Sequence, residues 1–196
     1  MDLKEKRREE IIQAAMNVFS KNGFERSKME AIATEAGIGK GTIYGYFSSK
    51  KELFEEMIYY NLDKYKKELS KIIVGQQNFS EKLEGLFRYH ASFLNQNLDI
   101  FQVINNGELL SHNMKKRLID EQNSFFELLE KMIEKGISSG EISKNIDREV
   151  AVLCIIGSIN QFAGKKVFID RVSADNINSA PLIDILMRGL SGLGDR

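Results

Sequence analysis

Apolar residues recur along most of this chain at intervals of three and four, the period of helices with one buried face. Ile12, Ala15, Met16 and Phe19 form the first such stripe. The "KNG" at 21–23 predicts its end, with Gly23 suited to positive φ. Met29, Ile32, Ala33 and Ala36 repeat the spacing, with Ser27 as expected N-cap and Glu30 completing a capping box. Gly37 stops that helix, and a very short one is predicted from Lys40 to Phe47, held down by Ile43 and Phe47.

A long helix is expected next, capped by Ser49 and reaching about Val74, with Phe54, Ile58, Leu62, Tyr65, Leu69 and Ile72 on its apolar side. At about 1.5 Å per residue it would be a rod roughly 35 Å long. "GQQN" at 75–78 is the clearest loop. Further stripes follow: Leu83, Leu86, Phe87 and His90; a less regular one from Phe101 to Leu110; and Leu118 to Met132, ending near Gly136. Asp147 is the expected cap of a helix from 148 to about 168, and Pro181 opens a last one through about Leu190. No stretch alternates as a strand. The reading is an all-α fold of about nine helices. A three-helix N-terminal domain over 1–50 is followed by a helical domain over 51–196, with 50–74 as the connecting helix.

Composition narrows the class. The 196 residues include one cysteine, Cys154, so no internal disulfide forms, and nothing is spaced as a metal site. "MDLKEKRREEII" is charged where a signal peptide would be apolar. The run "VAVLCIIGSI" is read as too short to span a bilayer, so no membrane role and a cytoplasmic location are expected. Residues 1–51 hold ten Lys/Arg and seven Asp/Glu, a net of +3, against −3 for the remainder. No nucleophile–base–acid set and no phosphate-binding glycine loop stand out, so no enzyme and no cofactor are expected.

The segment "MEAIATEAGIGKGTIYGYF" at 29–47 carries the chemistry. Helix, three-residue turn with glycine, helix is the helix-turn-helix arrangement used on DNA. Ala33 is small where the helices cross, Gly37 supplies the turn, and Ile38 fills the angle between them. Lys40, Thr42, Tyr44 and Tyr46 are left to face outward, and Gly41 allows close backbone approach. Such side chains suit phosphates and base edges. The alternative is only an αα-hairpin with a solvated polar face.

The run "FERSKMEAIATEAGIGKGTIYGYFSSKKELF" at 24–54 resembles the N-terminal domain of the TetR/AcrR family of bacterial transcriptional regulators. Its signature is matched by Ile32, Ala33, Ala36, Gly37, Ile38, Lys40, Gly41, Thr42, Ile43, Tyr44, Tyr46, Phe47, Lys50 and Leu53. "IIQAAMNVFSKNGF" resembles the helix that precedes it. Gly45 departs from the pattern, standing where relatives often carry a bulky side chain, and Ser48 often is Pro. The resemblance implies Lys40, Thr42 and Tyr44 in the major groove, and Tyr46 and Lys50 on phosphates. It also implies a phosphate near the backbone N–H of Ser27, flanked by Arg26 and Lys28. The arm "KEKRR" at 4–8 could add phosphate contacts.

Helices 148–168 and 181–190 are apolar around much of their circumference. They could form half of a four-helix bundle with a second copy, as in family members; two headpieces would then read a palindromic operator. The family also implies a small-molecule effector site in the C-terminal domain. Its candidates are His90, Phe93, Phe101, Ile104, Asn105, Glu108, His112, Phe125, Phe126, Leu129, Cys154, Ser158, Gln161 and Phe162. The phenylalanines suggest an apolar effector, which would release a repressor from DNA. An effector-independent regulator or architectural protein is the alternative.

Overall fold

The computed structural model describes residues 2–97 and 110–192. The described residues fall into two compact units, one of 2–64 and 110–115 and one of 65–97 and 116–192. Eight α-helices and no strand occur among them. The helix expected over 101–110 lies almost wholly outside the described residues.

In the first unit, α1 (Leu3–Arg26) buries Ile11, Ile12, Ala14, Ala15, Val18 and Phe19. This face is broader than the expected stripe, with the Phe54 ring edge-on against Phe19, while Met16 stays half-buried. The helical path breaks at Gly23, with φ of +73°. Helix α2 (Met29–Glu35) buries Met29, Ile32 and Ala33. Gly37 then takes φ of +65°, and the N–H of Ile38 donates to Ala33 O at 2.9 Å. A side chain there would be strained, so glycine makes this turn. Helix α3 (Lys40–Tyr46) is anchored by Ile43 and by Phe47 just beyond it, both fully buried. Ser49 Oγ accepts from Glu52 N at 3.1 Å, capping α4 (Lys50–Val74) as expected. Leu53, Phe54, Met57 and Ile58 complete the core, where Phe54 packs edge-on against Phe19 and lies 4.7 Å from the Phe24 ring.

In the second unit, α5 (Phe79–Gln96) starts with a capping box between Asn78 and Glu81. It buries Phe79, Leu83, Leu86, Phe87, His90, Ala91 and Leu94. Helix α6 (His112–Ser139) supplies Leu129, Met132 and Ile133, and runs three residues past its expected end. Helix α7 (Arg148–Gly164) is capped by Asp147, whose carboxylate accepts from Val150 N at 2.9 Å. It continues without interruption into a π-helical turn, Lys165–Ile169. The combined helix, Arg148–Ile169, has a mean hydropathy of 1.3 over its most apolar stretch and is long enough to cross a membrane. The ten-residue apolar run noted in the sequence lies within this longer helix. Helix α8 (Ala180–Leu190) opens with Pro181 in its first turn and buries Ile183, Leu186 and Leu190.

Candidate DNA interface and ligand cavity

One face of α3 is anchored by Ile43 and Phe47, so its other face projects outward. Lys40, Gly41 and Thr42 are exposed, Tyr44 is 44% exposed, and Tyr46 is half-buried. The Lys40 ammonium pairs with the Glu30 carboxylate of α2 at 2.6 Å. That hydrogen bond, with the attraction between the charges, raises the Lys40 pKa and lowers that of Glu30. Arg26 is exposed and donates from Nε to Asn22 O, and Lys28 is exposed at the start of α2.

Two groups expected to contact phosphate have partners within the protein. Lys50 Nζ donates to Phe24 O at 2.7 Å and to Glu25 O and Ser27 O at 3.1 Å. It also sits 4.3 Å from the centre of the Phe24 ring. The carbonyls at the end of α1 lack helical partners, and a lysine supplies them with donors. Ser27 is 4% exposed; its N–H donates to Phe24 O and its hydroxyl to Gly23 O at 2.7 Å. The expected capping box is therefore not formed. Lys28 occupies the N-cap position of α2, and Glu30 reaches Lys40 instead.

Arg8 has a role that its place in a charged run concealed. Its guanidinium donates to Tyr46 O at 3.3 Å, pairs with Glu56 of α4 at 3.1 Å, and lies 4.4 Å from the centre of the Phe47 ring. It ties the C-terminal end of α3 to α1 and α4. The signal available in sequence was only an arginine beside the apolar stripe of the first helix.

In the second unit, His90, Phe125 and Leu129 come together around a small cavity of about 30 Å³. Tyr65, Leu69, Leu86, Ile155, Ile156, Ile159 and Asn160 complete its wall. Tyr65 and His90 share a hydrogen bond of 2.7 Å between the phenol oxygen and Nδ1. Burial lowers the His90 pKa to about 4 and pushes that of Tyr65 well up, so both are neutral near pH 7. Phe93 packs on the Tyr65 ring at 4.4 Å, beside the cavity.

The other candidates lie elsewhere. Phe162 packs against Phe87, 5.7 Å between ring centres. Phe126 and Ser158 are half-buried and do not line the cavity. Cys154 and Gln161 are exposed on α7, and His112 is exposed at the start of α6; the structure does not bring these three to the cavity. Cys154 and Gln161 were expected inside because their helix is apolar on most sides, whereas its outward face includes them. Phe101, Ile104, Asn105 and Glu108 lie outside the described residues. Tyr65 was read only as part of an apolar stripe; a tyrosine in such a stripe, with its need for a polar partner, was the available signal.

Residues 11–57 match the family model "Bacterial regulatory proteins, tetR family", and residues 76–164 match "Tetracyclin repressor-like, C-terminal domain". The chain is 26% identical over 183 residues to the fatty acid metabolism regulator protein of Bacillus subtilis, covering 92% of this chain and 94% of that protein. It is 30% identical over 159 residues to the HTH-type transcriptional regulator YvdT of the same organism, covering 79% of each. Among solved structures, FadR of Bacillus subtilis in complex with stearoyl-CoA shares the fold, with a TM-score of 0.71 at 24% identity over 92% of this chain and 98% of that one. With one family model matching 11–57, a second matching 76–164, and a 30% identical relative covering most of the length, the chain belongs to the TetR/AcrR family: it is a helix-turn-helix transcriptional regulator and not an enzyme.

Proposed function

We propose that the protein is a cytoplasmic homodimeric repressor that reads a palindromic operator with α3 of each protomer. A small, mainly apolar effector held in the second unit releases it. The observation that carries the DNA reading is the division of α3. Ile43 and Phe47 are fully buried, while Lys40, Gly41, Thr42 and Tyr44 face outward on a helix of seven residues. Such a helix cannot be stable alone, so its outward chemistry is presented rigidly by its buried underside. Tyr46, Arg26 and Lys28 would supply phosphate contacts around it.

The homodimer is supported by apolar surface on α7 and α8. Val150, Leu153 and Ile185 are 55%, 51% and 68% exposed. Large apolar side chains clustered on two helices suit burial against a second copy. The same surface is the reason to read the long apolar helix as a protein contact and not a membrane span.

The apolar effector is supported by the cavity wall and by the relative's name. A fatty acid metabolism regulator is similar over nearly the whole chain, and the FadR structure holds stearoyl-CoA. A long acyl chain does not fit in about 30 Å³, room for about one water. The helices around the cavity must part to admit a ligand. An effector that binds the parted state more tightly shifts the population away from DNA. Helices α4 and α6 both contribute residues to both units and are covalent links through which such a shift would pass. The small cavity also favours a second reading, a regulator that answers to no effector.

Selection of bound fragments from genomic DNA, followed by anisotropy titrations, tests the DNA reading. An inverted repeat is expected, with binding weakened by Thr42→Ala at particular bases only. Adding acyl-CoA thioesters of increasing length should release the DNA. If none does, and none raises Tm, the effector-independent reading replaces the first. Ile185→Glu should yield monomers by light scattering; dimers of unchanged affinity would move the interface elsewhere.

A further inference from the structure

A second recess in the same unit lies where α4 ends and α5 begins, against the C-terminal part of α6. It encloses about 210 Å³ and is lined among others by Val74, Gln76, Lys82, Met132, Lys135 and Glu141. Lys82 is only 8% exposed. Lysine is seldom buried to that extent without a partner. Among the described residues, however, no hydrogen bond or ion pair reaches its ammonium. The nitrogen is not sealed, since the one fully enclosed side-chain polar atom left without a partner is Ser191 Oγ. The stem is therefore packed while the ammonium keeps some contact with solvent, and the residue lines the recess. Lys135 adds a second cation without a partner, as does the neutral amide of Gln76 a donor. The one carboxylate in the wall is already engaged: Glu141 accepts from Phe79 N at 2.7 Å and from the Ser139 hydroxyl at 2.9 Å.

The same three helices, α4, α5 and α6, contribute to the lining of both the recess and the apolar cavity. Leu69, Leu86 and Leu129 line the cavity, and Val74, Lys82 and Met132 line the recess. Along the three helices the second residue stands five, four and three positions from the first, roughly 7.5, 6 and 4.5 Å along the axis.

We propose that the recess binds an oxyanion, the carboxylate or phosphate end of an amphipathic ligand, with Lys82 as the main contact and Lys135 as the second. Taking the ligand's apolar end into the apolar cavity rests on the effector reading above; the oxyanion site itself does not.

The test uses the full-length protein at fixed ionic strength, with calorimetric titration of decyl phosphate, decanoate and decan-1-ol, and of pyrophosphate alone. Decyl phosphate or decanoate is expected to bind about tenfold or more tighter than decanol. Lys82→Met should erase that preference without changing decanol binding, Lys82→Arg should keep most of it, and Lys135→Gln should reduce it in part. The anion that shows the Lys82-dependent gain identifies the head group. An equal preference in wild type and Lys82→Met overturns the proposal. If no alkyl compound binds, the apolar-effector reading fails instead, and pyrophosphate decides the oxyanion site. Calorimetric binding that Lys82→Met abolishes supports it, and binding that is absent or indifferent to Lys82 overturns it.

Discussion

The phenol oxygen of Tyr65 lies 2.7 Å from Nδ1 of His90, in the wall of a cavity otherwise made almost wholly of apolar side chains. Tyr65 comes from α4 and His90 from α5, so the bond ties the connecting helix to its neighbour. Neither group carries a charge near neutral pH, because burial disfavours both the imidazolium and the phenolate.

That burial has a pH signature. The folded-state pKa of His90, about 4, lies below the ordinary value of 6.5. Between these values the unfolded chain binds more protons, so stability rises with pH. The contribution is complete above about pH 6.5, falls as the pH drops, and is gone near pH 4, a total of about 3 kcal/mol. Urea denaturation near pH 7 and near pH 5 should differ more for wild type than for His90→Gln, by about 2 kcal/mol. Equal differences would mean that His90 is not the titrating group.

Lys50→Met should lower the stability of the first unit by about 1–2 kcal/mol, since three carbonyl oxygens lose a charged donor. The slope of log affinity against log salt should stay as in wild type once the variant is folded. A slope shallower by about one unit would return Lys50 to the phosphate backbone.

Arg8→Ala should cost about 1 kcal/mol, from a partly exposed ion pair and the contact with the Phe47 ring. Operator affinity should fall roughly tenfold with the salt slope unchanged, because α3 loses a support and no phosphate loses a partner. Arg8→Lys should restore little, as a lysine cannot serve Tyr46 O, Glu56 and the ring together.

Glu30→Gln should strengthen binding to all duplexes. It frees the Lys40 ammonium, now 2.6 Å from the carboxylate, and the salt slope should steepen by up to about 0.9. An unchanged slope in anisotropy titrations would place Lys40 away from phosphate.

Gly45→Ala should stabilise α3 by about 0.5–1 kcal/mol, because a methyl group there meets no atom within 4 Å. A thermal melt reads this directly. Affinity for DNA should be retained, as the added group is small.

Much of the architecture was legible because helix periodicity, caps and stops are local. The anchors Ile43 and Phe47, the turn at Gly37 and the caps Ser49 and Asp147 each follow from neighbours within a few residues. The outward set Lys40, Gly41, Thr42 and Tyr44 is legible for the same reason: burying one face of a short helix exposes the other.

Partners distant in sequence were decided only by the tertiary structure. Lys50 turns to carbonyls more than twenty residues away, Arg8 to Tyr46, and Tyr65 to His90. A polar side chain in sequence displays its chemistry but not its partner, and long flexible lysines and arginines choose among whatever acceptors folding brings near. Helix α7 makes the same point for apolar residues. Periodicity revealed that it is greasy on most sides, but only packing assigned Ile155 and Ile159 to the interior and left Val150, Leu153 and Cys154 outside.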